Sequence, residues 1–66
     1  MQRFWYEVDL VNPKTNEETA VTVSISELQR ARAKRSLDWM AEVQDVARPL
    51  MPAGYMPIGM GVRALQ

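Results

Sequence analysis

Residues 26–48, SELQRARAKRSLDWMAEVQDVAR, decide how this chain folds, because no other segment is long enough to form a substantial helix. Ser26 and Gln29 match the Ser-x-x-Gln capping box, in which each side chain hydrogen-bonds the other residue's backbone at a helix start. Most interior residues are strong helix formers, and Pro49 disfavours helical backbone at the residue before it. We therefore predict one long helix over residues 26–48.

The apolar stripe of this predicted helix is clean after Trp39 and poor before it. Arg32 lies near the middle of the apolar half of the helical wheel, and Leu37 lies on the polar half, which is the opposite mismatch. Ser36 is a good N-cap residue, so the alternative to one continuous helix is a break at Ser36 that starts a second helix.

A β-hairpin is predicted ahead of the helix, over residues 2–25. Residues 2–11 alternate apolar with polar side chains, and residues 19–25 are rich in Thr, Val and Ile. Pro13 and Asn16 favour a turn between the two strands. A register that pairs Val8 with Val21 gathers the large apolar residues on one face, which the helix would cover: Phe4, Tyr6, Leu10, Val23 and Ile25.

Residues 50–66, LMPAGYMPIGMGVRALQ, form a tail that is apolar and rich in Met, Pro and Gly. This composition is not that of a typical disordered segment. Residues 55–65 are a possible third strand, which Pro57 would confine to a sheet edge or a strand start. The expected fold is therefore α+β in a single small domain over residues 1–66, with an antiparallel hairpin packed on one long helix.

The composition argues against several classes of chemistry. The 66 residues include no His and no Cys, so the commonest general base, the thiol nucleophile and the usual zinc ligands are missing. We expect no catalytic site, no metal and no cofactor, and therefore no enzyme. Eight basic residues balance eight acidic ones, which gives no overall attraction to nucleic acid or anionic lipid. Without a signal-peptide pattern or a long apolar run, we expect a cytoplasmic protein with no membrane partner.

The sharpest charge feature is a group of four cations in the first half of the predicted helix, where the helix dipole disfavours positive charge: Arg30, Arg32, Lys34 and Arg35. One interpretation is a solvated face with intrahelical ion pairs, namely Glu27–Arg30, Lys34–Asp38 and Arg35–Asp38. The other is a functional surface that binds phosphates or an acidic protein. Arg32 has no acidic residue at helical spacing, which keeps the functional interpretation open.

Trp5 and the tail methionines are the candidate contact residues outside the helix. Trp5 lies on the polar face of the first strand, where either the tail covers it or it forms an exposed binding anchor. Arg3 lies on the same face and is placed to stack on the Trp5 ring. Met56 and Met60 either fill gaps in the core or form an adaptable contact surface.

The leading interpretation is a non-catalytic protein–protein interaction module, a small regulator or inhibitor that acts as an oligomer or in a complex. A chain this short, without disulfides or zinc, forms a marginal core, so association with a protein partner or a second copy is expected. The alternative, which the neutral net charge does not favour, is a nucleic-acid-binding protein that uses the basic first half of the helix. The predicted contact residues are Trp5, Arg3, Arg30, Arg32, Lys34, Arg35, Met56 and Met60.

Overall fold

The structure, a computed structural model, describes residues 2–65; Met1 and Gln66, the ends of the predicted domain, lie outside the described residues. The predicted α+β class is confirmed, with one antiparallel sheet and two short helices in the described range. A 3₁₀ turn, Arg48–Leu50, follows the second helix. In chain order the main elements are β1 (Arg3–Val11), β2 (Glu18–Ser26), α1 (Glu27–Arg35), α2 (Trp39–Ala47) and β3 (Met56–Ala64).

The predicted hairpin and its register are confirmed. β1 and β2 pair antiparallel, with Tyr6 opposite Val23 and Val8 opposite Val21. Asn16 in the connecting turn has a φ of 62°, a left-handed conformation that Asn tolerates better than most residues. The alternation of β1 therefore places its even-numbered side chains on one face of the sheet and its odd-numbered side chains on the other.

The tail does supply a third strand. β3 pairs antiparallel with the free side of β1, so the sheet order is β2-β1-β3 and β1 is the central strand. Pro57 thus lies on an edge strand, where a missing N–H is tolerated. The pairing is irregular, because Val8 faces Val62 while Leu10 faces Pro57, and residues 58–61 bulge out opposite Asp9.

The prediction of one long helix over residues 26–48 is wrong, because the chain leaves the helical path at residues 36–38. The capping box at Ser26 and Gln29 forms as expected and starts α1. α1 ends where the Ser36 N–H donates to the carbonyl oxygen of Ala33. The break therefore occurs at the residue that the sequence offered as the alternative.

The residue that caps the second helix is Asp38 rather than Ser36. The Asp38 carboxylate accepts a hydrogen bond from the Ala41 N–H at 3.1 Å, and the Ser36 hydroxyl accepts one from the Asp38 N–H at 3.1 Å. Two residues with short oxygen-bearing side chains thus satisfy backbone N–H groups at the break, which favours a new helix start over continuation.

The core lies between the sheet and both helices, which cover the same face, here called the inner face. α1 buries Ala33, whereas α2 buries Val43 and Ala47, so α2 supplies most of the helical packing. The buried cluster joins these α2 residues to the inner face of all three strands: Tyr6, Val8, Leu10, Val23, Ile25, Val43, Ala47 and Val62.

Candidate binding surface

The sheet face opposite the helices, here called the outer face, carries the odd-numbered residues of β1 and their cross-strand neighbours. Trp5 lies on this face with 52% of its surface exposed. The Leu65 N–H donates to the Trp5 carbonyl oxygen at 2.9 Å, so the tail extends the sheet sideways and does not fold over Trp5. Leu65, which is 39% exposed, therefore lies beside Trp5 and forms one apolar end of the outer face with it.

The other end of the outer face is also apolar. Val11 lies opposite Met56, and 50% of the Met56 surface is exposed. Met60 projects from the β3 bulge and is 84% exposed. Neither methionine fills the core, and their role in a contact surface stays a prediction.

A charged cluster separates the two apolar ends. Arg63 on β3 lies opposite Glu7, and its guanidinium donates to both carboxylate oxygens of Asp9, at 3.0 and 3.2 Å, and to Glu7. Hydrogen bonds to Asp9, then those to Glu7, raise the pKa of Arg63 above its ordinary value. The two carboxylates that alternate on β1 thus share one cation.

Arg63 is not among the predicted contact residues, although the sequence carries a signal for it. Glu7 and Asp9 lie two residues apart on one face of β1, so a strand added beside them benefits from a cation. The tail contains one charged residue, and that residue is Arg63. Once the tail is accepted as a strand next to β1, Arg63 is the counter-ion that the sequence offers.

Gly61 allows the bulge to pass close to this charged cluster. A Cβ atom at Gly61 would lie 2.9 Å from the Cβ of Asp9, closer than real Cβ contacts come. Gly59, in the same bulge, has no described atom within 4 Å of such a Cβ. The missing side chain at Gly61 is therefore a steric requirement, and the one at Gly59 is not.

The sequence suggested that Arg3 stacks on the Trp5 ring, but the structure places the Arg3 guanidinium elsewhere. Its guanidinium donates to the Ser24 hydroxyl, at 3.0 and 3.2 Å, and to the Ser24 carbonyl oxygen at 3.0 Å. The cation–π contact of the structure is instead between Arg30 and Phe4, with the guanidinium carbon 4.2 Å from the ring centroid. Arg30 is therefore half-buried against the sheet and contributes to packing.

The four α1 cations lie on the helical side of the molecule, and one of them, Arg30, also lines a cavity with Trp5 and Leu65 at the end of the sheet. Over residues 2–65, none of them forms an ion pair, so the three predicted intrahelical pairs are absent from this part of the chain. Arg32 is exposed and borders an open cavity of about 250 Å³ together with Glu42 and Asp45. The structure thus divides the predicted contact residues between two surfaces.

Neither metal-binding clusters nor membrane-spanning helices are found in the described residues. No three His, Cys, Asp or Glu side chains come together in a way that would hold a metal ion within residues 2–65. In the same range, no helix is long and apolar enough to cross a bilayer.

The close approach of Gly61 to Asp9 makes a testable prediction. Gly61→Ala forces the bulge away from Asp9 and disturbs its contact with Arg63, so we expect a loss of about 1–3 kcal/mol in the free energy of unfolding. Gly59→Ala, the matched control, is expected to be neutral or to stabilise by up to about 1 kcal/mol, because the site is open. Urea unfolding of the two variants measures the difference, and equal stabilities would contradict the bulge geometry.

Comparison with known proteins supplies no relative from which a function can be transferred. No protein-family model, curated protein or solved structure matches this chain at a significant level.

Proposed function

We propose that this chain is a non-catalytic protein-binding module, a small regulator or inhibitor that contacts its partner through the outer face. The observation that carries the proposal is the exposed Trp5 in the central strand of a sheet face that neither helix covers. Trp is among the residues most enriched at the energetic centres of protein interfaces. A cytoplasmic location belongs to the same proposal, and a sequence without cysteine fits that compartment as it fits any other.

The layout of the outer face supports a protein as the ligand. Trp5 and Leu65 form an apolar area at one end, and the Arg63 cluster with Glu7 and Asp9 supplies hydrogen-bonding groups beside it. Protein interfaces typically combine an apolar centre, which loses its water on binding, with a polar surround. The proposed partner is therefore a protein surface with an apolar patch opposite Trp5 and polar groups opposite the Arg63 cluster.

The rigid support beneath Trp5 strengthens this argument. Trp5 belongs to the central strand, which is paired on both sides, so its backbone is fixed before any partner binds. The neighbouring residues Phe4 and Tyr6 point to the inner face and pack in or against the core. A pre-ordered aromatic side chain loses little conformational entropy on binding, which favours its use as an anchor.

The test is the effect of Trp5→Ala on partner binding. Proteins captured by the tagged wild-type chain are identified by mass spectrometry, and the affinity of each is then measured by calorimetry with purified partner. For a partner of the outer face, we expect Trp5→Ala to weaken binding by about 2 kcal/mol or more, which is about 30-fold in Kd.

The control is Leu37→Ala, because Leu37 is a fully exposed apolar residue on the helical side, in the α1–α2 connection. This variant removes exposed apolar surface but leaves the outer face intact, so its affinity should match that of wild type. A partner whose affinity falls with Leu37→Ala and is unchanged by Trp5→Ala would contradict the proposal.

A nucleic-acid-binding function is the second candidate, and the α1 cations favour it. Four cations in one short helix have no ion-pair partner in the portion of the chain that the structure describes. Phosphate groups would supply negative charge. The expectation that the helix dipole disfavours these cations is wrong for three of them, because α1 ends at Arg35 and its last turn, where the dipole favours positive charge, contains Arg32, Lys34 and Arg35. Neutral net charge weakens this candidate, because it gives no long-range attraction to nucleic acid.

Salt dependence distinguishes the two candidates. If all four cations neutralise phosphates on duplex DNA, log affinity should fall with log salt with a slope of about −3.6, at about −0.9 per phosphate. Charge reversal should be made at the exposed Lys34 and Arg35, because reversal at Arg30 would also break its packing on Phe4. We expect only weak binding at physiological salt. Tight, steeply salt-dependent binding that is lost in Lys34→Glu/Arg35→Glu but kept in Trp5→Ala would promote this candidate.

A further inference from the structure

The backbone of β2 presents hydrogen-bonding groups along one open edge of the sheet. The Trp5 carbonyl oxygen accepts a hydrogen bond from the Leu65 N–H, so Trp5 directs its backbone groups toward β3. Because this direction alternates along a strand, odd-numbered β1 residues direct their N–H and C=O groups toward β3, and even-numbered ones direct theirs toward β2. The register pairs even-numbered β1 residues with odd-numbered β2 residues. Even-numbered β2 residues therefore direct their N–H and C=O groups away from β1, toward the open edge: Glu18, Ala20, Thr22, Ser24 and Ser26.

The two edges of the sheet differ in how well they suit pairing with another strand. The β3 edge carries Pro57 and the bulge at residues 58–61, and both features hinder strand addition. β2 runs for nine residues, ETAVTVSIS, with no proline, no lysine and no bulge. It is also rich in β-branched residues, which favour extended backbone. The β2 edge is thus a good template for an added strand.

Two side chains already occupy one end of this edge. The Ser24 carbonyl oxygen accepts from the Arg3 guanidinium at 3.0 Å, and the Ser26 N–H donates to the Gln29 side chain at 2.9 Å. The backbone groups of Glu18, Ala20 and Thr22 have no such side-chain partner within the described residues. The open part of the edge is therefore the first half of β2.

We propose that the β2 edges of two copies of this chain pair antiparallel about a two-fold axis at Val21, forming one continuous six-stranded sheet. This register sets Ala20 of each copy opposite Thr22 of the other, so the open edge groups bond one another. It also sets Glu18 of each copy opposite Ser24 of the other. The paired backbone edge is distinct from the Trp5–Leu65 area and the Arg63 cluster, and only the Arg3 and Glu18 side chains at its border belong to the outer face. The inference therefore goes beyond the proposed function.

Charge complementarity identifies the second copy as the occupant. In each copy the Arg3 guanidinium lies on Ser24, at 3.0 Å from its carbonyl oxygen. Glu18 of the other copy is directly opposite Ser24 in this register, and residues opposite each other are only about 4.5–5.5 Å apart between Cα atoms. Neither Arg3 nor Glu18 has an ion-pair partner in the described single chain. Because the dimer is two-fold symmetric, the Arg3–Glu18 ion pair forms twice, once on each side of the axis.

Apolar burial at the axis supports the same register. Val21 is only half-buried in the single chain, although it packs against the core cluster. At the axis it meets Val21 of the second copy on the inner face, and the contact removes apolar surface from water. Such burial matters for a 66-residue chain, whose own core is small.

The test measures mass by sedimentation equilibrium from about 1 to 200 µM. Wild type should show a concentration-dependent dimer. Arg3→Glu and Glu18→Arg should each weaken the dimer at least tenfold in Kd, and the double variant should regain most of that loss because it restores the opposite charges. Lys14→Glu, in the hairpin turn, is the control for altered net charge and should leave the dimer unchanged. Circular dichroism of each variant at low concentration monitors the single-chain fold.

A backbone variant tests the hydrogen bonds separately. Thr22→Pro removes an edge N–H that β1 does not use, so the folded single chain should persist while the dimer is lost. Trp5→Ala should leave the dimer intact, so failure of this inference is distinguishable from failure of the proposed function. A wild-type mass that stays monomeric over the whole range, or a dimer that none of the Arg3, Glu18 and Thr22 variants weakens, would overturn the inference.

Discussion

The pairing of β1 on both sides is the constraint on which the rest of the structure depends. Its even-numbered side chains Val8 and Leu10 are completely buried under the helices, and its odd-numbered side chains Glu7 and Asp9 face outward. A one-residue slip against either neighbour would exchange these sets and place carboxylates in the core, at a cost that such a small domain cannot absorb. The register of both neighbouring strands, and therefore the position of every surface described above, follows from this alternation.

The sequence predicted the hairpin well because period-two patterning and turn chemistry agree there. The alternation on β1, the β-branched residues on β2 and the turn residue Asn16 all favour one register, and that register is observed. The capping box at Ser26 and Gln29 was predicted equally well, because it depends on residues close in sequence. Local interactions of this kind are visible in a sequence without knowledge of the tertiary packing.

The helix break and the charged cluster were harder to predict, because each depends on contacts between distant segments. High helix propensity favoured one continuous helix, but the apolar stripe changes at residues 36–38, and each half packs independently on the sheet. Arg32 and Leu37 did not fit the apolar stripe of one continuous helix, and this misfit indicated the change. Both residues are exposed in the structure. Arg63 could be assigned to Glu7 and Asp9 only after the tail was placed beside β1. The bulge at residues 58–61 shifts the β1–β3 register, so that register could not be predicted from the alternation of side chains.

The placement of both helices on the inner face determines which surfaces remain for function. Both helices of residues 2–65 pack on the inner face, so Trp5 and its neighbours on the other face stay exposed. α1 buries little, three of its four cations (Arg32, Lys34 and Arg35) are exposed, and the β2 edge stays uncovered. The β2 edge meets the outer face at Arg3 and Glu18, and α1 meets it at Arg30, which lines a cavity with Trp5.

The most direct test of the central role of β1 is amide hydrogen exchange followed residue by residue by NMR. Tyr6 and Val8 should be protected by β2, and Glu7, which lies between them, should be protected by β3. The structure therefore predicts slow exchange at three consecutive β1 amides. Slow exchange at Tyr6 and Val8 with fast exchange at Glu7 would show that β1 is an edge strand and would contradict the three-stranded sheet.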